Sequence, residues 1–152
     1  MSTFPVLPDA APPAPAWRPL DNRRLMLRFR ESLDYEDAAG FVAMQDDLSP
    51  DERLILLFLS ATYEQSLNTI DGYCRHIVRF LNHTGKSALH TTARDVEAFV
   101  RLCRLNGMKP RSINTIIGAL KSFFKRLAVT GAIPLNPTAF LKRRRVRSEE
   151  RR

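Results

Sequence analysis

The chain lacks the residue patterns on which most catalytic sites are built. There is no CxxC pair, no HxxxH spacing, no glycine-rich phosphate loop and no GxSxG turn. Three histidines (His76, His83 and His90) and two cysteines (Cys74 and Cys103) share no metal-ligand spacing, so no metal centre and no cofactor are expected. Tyr35, Tyr63 and Tyr73 have no neighbouring basic constellation to activate a phenol. Two cysteines cannot build a disulfide framework, which fits a reducing compartment and a cytoplasmic location. The longest unbroken aliphatic or aromatic run, Leu54 to Leu59, is far shorter than the roughly 20 residues a membrane helix needs. The N-terminus has no basic region followed by an apolar one, so no secretory signal is expected. No stretch alternates with period two for long, which argues against a sheet.

What remains is a chain of 152 residues, 44% hydrophobic and 26% charged, a composition that suits one globular domain. Its net charge of +8 is unevenly spread. Residues 1–65 carry 6 basic and 11 acidic side chains; residues 66–152 carry 18 and 5. A basic module joined to an acidic front suggests a polyanionic partner, most often nucleic acid. Charge alone fits a merely soluble basic domain equally well.

Four segments follow from the pattern. Residues 1–19 hold six of the ten prolines amid alanines and read as a disordered tail. Residues 20–48 are acidic and weakly structured, or hold one short helix capped by Asp21 or Asn22. Residues 49–145 read as a helical domain, and 146–152 as a basic stub. Within the domain, Ser49-Pro50-Asp51-Glu52 signals a helix start with a capping box, and that helix should end near Gln65. Ser66 or Asn68 opens the next, with Ile70, Tyr73, Cys74, Ile77, Phe80 and Leu81 recurring on one face. Gly85 stops it. Thr92 and Asp95 start a third, which Gly107 ends. Pro110 starts a fourth, with Ile113, Ile116, Ile117, Leu120, Phe123, Phe124 and Leu127 inward and Gly131 at its end. Asn136-Pro137 should cap a short fifth helix through Leu141. The fold class is therefore all-α: a compact bundle of four to five helices, preceded by an extra helix and the proline-rich tail.

The helix from Pro110 carries the functional signal. Arg111, Asn114, Thr115, Gly118, Lys121, Ser122 and Lys125 fall at steps of three or four on the stripe opposite its apolar face, with Lys109 and Ser112 at its start. Cations on such a stripe suit phosphates, and short polar groups suit base edges or backbone oxygens. Gly118 costs about 1 kcal/mol of helix stability relative to Ala, a cost that a close approach of another backbone would explain. No Asp or Glu occurs from Ser112 to Arg145, whereas an ordinary solvated face mixes both signs. On the helix after Ser66, Thr69, Arg75, His76 and Arg79 lie outward, as phosphate-flanking residues or as plain surface charge. Lys142-Arg143-Arg144-Arg145-Val146-Arg147 reads as a basic arm or a solvated linker.

Four pieces of sequence resemble a known module. They are Ser66-Leu-Asn-Thr69-Ile-Asp-Gly-Tyr73 with Ile77-Val-Arg-Phe80-Leu81; Thr92-Ala-Arg-Asp95-Val-Glu-Ala-Phe99; Arg111-Ser-Ile-Asn114-Thr-Ile-Ile-Gly-Ala119-Leu120-Lys-Ser122-Phe123-Phe124; and Gly131-Ala-Ile133 with Asn136-Pro137. In this order and spacing they resemble the SAM-like core-binding domain of tyrosine recombinases, the phage-integrase and Xer-type group, over about residues 60–145. The resemblance implies a four- to five-helix domain that grips one side of a recombination site in double-stranded DNA. It implies that Arg111 to Lys125 enters or borders the major groove, and that the helix around Thr69 to Arg79 also faces DNA. It further implies a separate catalytic domain and contacts with other recombinase protomers. The family's catalytic Arg, Lys, His-x-x-Arg and nucleophilic Tyr have no counterpart in these residues. The chain is accordingly expected not to be an enzyme by itself: a truncated integrase, an excised domain or a free-standing remnant. No membrane and no small-molecule substrate are expected as partners.

Two other readings stand beside this one. A helical protein-interaction module would dock through the apolar face of Leu54 to Phe58. A basic RNA-binding protein would need exposed stacking aromatics, and Phe123 and Phe124 read as core.

Overall fold

The first five α-helices each begin where a short polar side chain satisfies the first backbone donors. In the computed structural model, which describes residues 18–62 and 64–142, Asp21 caps α1 (Asn22–Ser32) and Asp37 caps α2 (Ala38–Met44). Ser49 caps α3 (Pro50–Ala61) in a full capping box: its Oγ accepts from Glu52 N at 3.2 Å, and Glu52 Oε1 accepts from Ser49 N at 2.8 Å. Ser66 caps α4 (Leu67–Thr84), and Thr92 and Asp95 form a second capping box for α5 (Ala93–Leu105). Pro110 takes the first position of α6 (Pro110–Val129). Gly85 ends α4 at φ 65°, a left-handed conformation that favours glycine. No strand occurs among the described residues, so the all-α expectation holds.

The apolar faces meet in one core. Phe80 of α4 packs edge-on against Phe99 of α5 at 5.2 Å and Phe124 of α6 at 6.0 Å, and Phe123 meets Phe58 of α3 at 5.5 Å. Edge-to-face ring pairs add to the area they bury. α4 packs on α6, and α5 closes against both. Leu25, Met26 and Phe29 of α1 are buried in the same cluster. Three polar ties join the front to the rest. Asn22 Nδ2 donates to Asp71 Oδ1 at 3.3 Å. Asn82 exchanges two hydrogen bonds with the Leu20 backbone, at 2.7 and 3.0 Å. The buried Asp51 carboxylate accepts from Ser87 Oγ and Ala88 N, both at 2.9 Å, fixing α3 to a single 3₁₀ turn, Ala88–His90.

Three details differ from the sequence pattern. α2 forms within an acidic stretch that shows no helical period, because Asp37 caps it and Phe41 and Val42 suffice to bury one side. α3 stops at Ala61 rather than near Gln65: the Thr62 N–H and hydroxyl both donate to Leu59 O, which closes the last turn early. The expected fifth helix is a pair of turns. Asn136 Oδ1 accepts from Thr138 N at 2.8 Å and Thr138 Oγ1 at 2.6 Å, an Asx turn that competes with helix. Phe140, on the second of these turns, is 80% exposed. The apolar face of Leu54 to Phe58 is largely taken up by the core; only Leu57 stays exposed. The proline-rich stretch through Trp17, Tyr63 and the basic run after Lys142 lie outside the described residues.

Candidate nucleic-acid interface

α6 places its stripe as the spacing requires. Nine of its residues, from Ile113 to Leu127, are buried, and Arg111, Ser112, Thr115 and Lys125 are exposed on the other side. Asn114, Lys121 and Ser122 are half-buried along the flanks. Gly118 is buried at the centre of the stripe, and with Ala119 it forms part of the wall of a concavity of about 440 Å³. The remaining lining is Tyr73 of α4 with Arg111, Asn114, Thr115 and Ser122. Thr115 Oγ1 donates to Arg111 O at 3.1 Å, one turn back.

The cations differ in how freely they act. Lys109 and Lys125 are exposed and form no ion pair among the described residues. Lys121 donates its ammonium to Leu141 O, so the turn after α6 is tied down across one edge of the stripe. On α4, Arg75 is exposed but paired with Asp71 at 3.1 Å, one turn before it. Arg79 is exposed, and its charge opposes the burial-driven rise of the Cys103 thiol pKa. His76 is half-buried; burial first, then the charges of Arg75 and Arg79, hold its pKa below the ordinary 6.5. Its Nδ1 is buried without a hydrogen-bond partner. Thr69 shares a hydrogen bond with Ser66 Oγ at 2.9 Å and belongs to the cap of α4. Burial, then Asp71, pushes the Cys74 thiol up to about 12, which makes it an inert core residue.

The structure therefore brings Arg111, Asn114, Thr115 and Gly118 around one concavity, while Arg75 and Thr69 are engaged within α4. Tyr73 is the residue the sequence pattern missed. Its place on the apolar stripe is real, since its ring packs on Phe58 at 5.7 Å, yet it is only half-buried and its edge reaches the concavity. The signal was its position at the rim of that stripe, four residues from Thr69 and three from His76. No group of three or more His, Cys, Asp or Glu residues positioned to hold a metal occurs among the described residues, and no helix there is long and apolar enough to cross a membrane.

Residues 56–131 match the family described as phage integrase, N-terminal SAM-like domain. The chain belongs to that family. The integrase-type domain is also 32% identical, over 95 residues, to a tyrosine recombinase of Thermosipho africanus (strain TCF52B). That alignment takes in 59% of this chain and 34% of the relative, so the chain spans about a third of the length of the recombinase it matches. No solved structure matches it. The family match opens inside α3 and closes at Gly131 just beyond α6. The integrase-type core is thus α3 to α6, and α1 and α2 precede it.

Proposed function

We propose that this integrase-type domain binds double-stranded DNA through the α4–α6 face and serves site-specific recombination without performing the chemistry. The observation that carries the reading is the outer side of α6: cationic and short polar groups, no carboxylate, and a glycine at the centre of a concavity. In this reading α6 lies along or in the major groove, which is wide enough for a helix. Lys109, Arg111 and Lys125 meet phosphates, and Arg79 of α4 flanks the neighbouring strand. Catalysis is supplied by a domain with the Arg, Lys, His-x-x-Arg and Tyr set, and the site is shared with other protomers in the cytoplasm. Fluorescence anisotropy with a duplex of about 25 base pairs, competed by RNA of equal length, tests it. Duplex DNA should bind at low salt and outcompete RNA, and Lys125→Glu should weaken binding more than Arg30→Glu on α1. Equal losses at the two positions would remove α6 from the interface.

A further inference from the structure

The concavity between α4 and α6 has a donor-rich chemistry of its own. Every side chain with polar atoms in its lining carries an N–H or O–H, and none is a carboxylate. The hydroxyls of Tyr73 and Ser122 form no hydrogen bond among the described residues. They come from different helices, so neither merely caps its own turn. Tyr73 is held in direction by its contact with Phe58. Gly118 and Ala119 share the lining, so the wall there is backbone and a methyl group. Arg111 can only donate and no carboxylate lines the place, so an anionic acceptor such as a phosphodiester suits it. Arg111 at one end supplies the charge.

Resting on the DNA reading above, we infer that this concavity seats one backbone phosphate of a duplex strand, with Tyr73 and Ser122 as its hydrogen-bond donors and Gly118 as the surface it lies against. The seat fixes the register of α6 on the strand and carries no sequence preference, because phosphate contacts position while base contacts specify.

The test uses the full chain and duplexes of unrelated sequence, each in all-phosphate form and as a series with single neutral methylphosphonates. Removing the Tyr73 hydroxyl with Tyr73→Phe leaves the ring on Phe58, so the melting temperature should hold. Affinity should fall about tenfold, the value of roughly one hydrogen bond to a charged group, and equally on every sequence. One methylphosphonate position should produce a similar loss, and combining it with Tyr73→Phe should add little further. Ser122→Ala gives a second, independent loss at the same position. Wild-type affinity for Tyr73→Phe, or a loss confined to certain sequences, would each overturn the seat while leaving DNA binding intact. Absence of any duplex binding at low salt would instead overturn the DNA reading itself.

Discussion

The response of binding to salt follows from which cations the fold leaves exposed. Of the basic residues on the α4–α6 face, Arg79, Lys109 and Lys125 are exposed and form no ion pair among the described residues, whereas Arg75 is paired with Asp71 and Lys121 is tied to Leu141 O. Each phosphate neutralised releases counterions worth a slope of about −0.9 in log K against log salt. Three contacts give a slope of about −2.7, and raising salt from about 50 to about 200 mM then weakens binding by about 40-fold. The basic run after Lys142 can only steepen this. Lys125→Ala removes one contact, so the slope should flatten by about 0.9 and the loss over the same range should drop about 3.5-fold. Anisotropy titrations at five or six salt concentrations measure both slopes. Lys86 is a poor comparator even though it lies off the stripe, because it grips both oxygens of Asp95 at 3.0 and 3.1 Å. Reversing its charge would disturb the α5 cap as well as the surface. Arg30→Ala on α1 is the better control and should leave the slope unchanged. A parent slope shallower than about −2, or identical slopes for the parent and Lys125→Ala, would refute the assignment.

Gly118→Ala should weaken duplex binding, and an affinity equal to the parent's, read by anisotropy, would show that nothing approaches the helix there. Asp51→Ala should cost about 2–3 kcal/mol in urea unfolding, since it strands the buried Ala88 N–H and frees the 3₁₀ turn, and a loss under 1 kcal/mol would mean the tie is dispensable. His76, followed by NMR, should titrate below 6.5 in the free protein. Because the folded state resists protonation, its contribution to stability is full above pH 6.5 and is lost as the pH falls through the lower folded value. Adding duplex should move that midpoint upward, as phosphates offset Arg75 and Arg79, and an unmoved midpoint would place the DNA elsewhere.

How much of this was legible in the sequence depends on whether the signal was local. Capping boxes at Ser49 and Thr92, Pro110 at a helix start and the left-handed Gly85 are decided within a few residues, and all stand in the structure. The stripe of α6 opposite its apolar face follows from a single period: Arg111, Thr115 and Lys125 lie exposed on it, while Gly118 at its centre is buried. Events decided by tertiary partners were not legible. Asn136-Pro137 resembles a helix start, but the Asn136 side chain serves Thr138, whose buried hydroxyl needs it. α2 has too few apolar residues to show a period, yet α1 and α3 offer them a surface. Within the candidate site, the tying of Lys121 and the reach of Tyr73 to Gly118 depend on how segments 20 to 45 residues apart come together.

The division of charge along the chain becomes a division in space, and this is what leaves the α6 face cationic. An acidic front joined to a basic domain could fold back and neutralise it. Instead Glu31, Asp47 and Glu52 of the front pair with its own arginines: Arg24 Nε donates to Glu52 at 2.9 Å, and Arg28 holds Asp47 with both terminal nitrogens. The hydrogen bond from Arg28 keeps the Asp47 carboxyl below its ordinary pKa. These pairs sit where α1 meets the start of α3, and α2 packs on α1 and α3. Asp71 and Asp95 are the only described carboxylates paired with cations beyond α3, and they take Arg75 and Lys86. Lys109 and Lys125 therefore keep their charge uncompensated. A surface of one sign is costly to a lone protein through self-repulsion, and a polyanion laid along α6 relieves that cost.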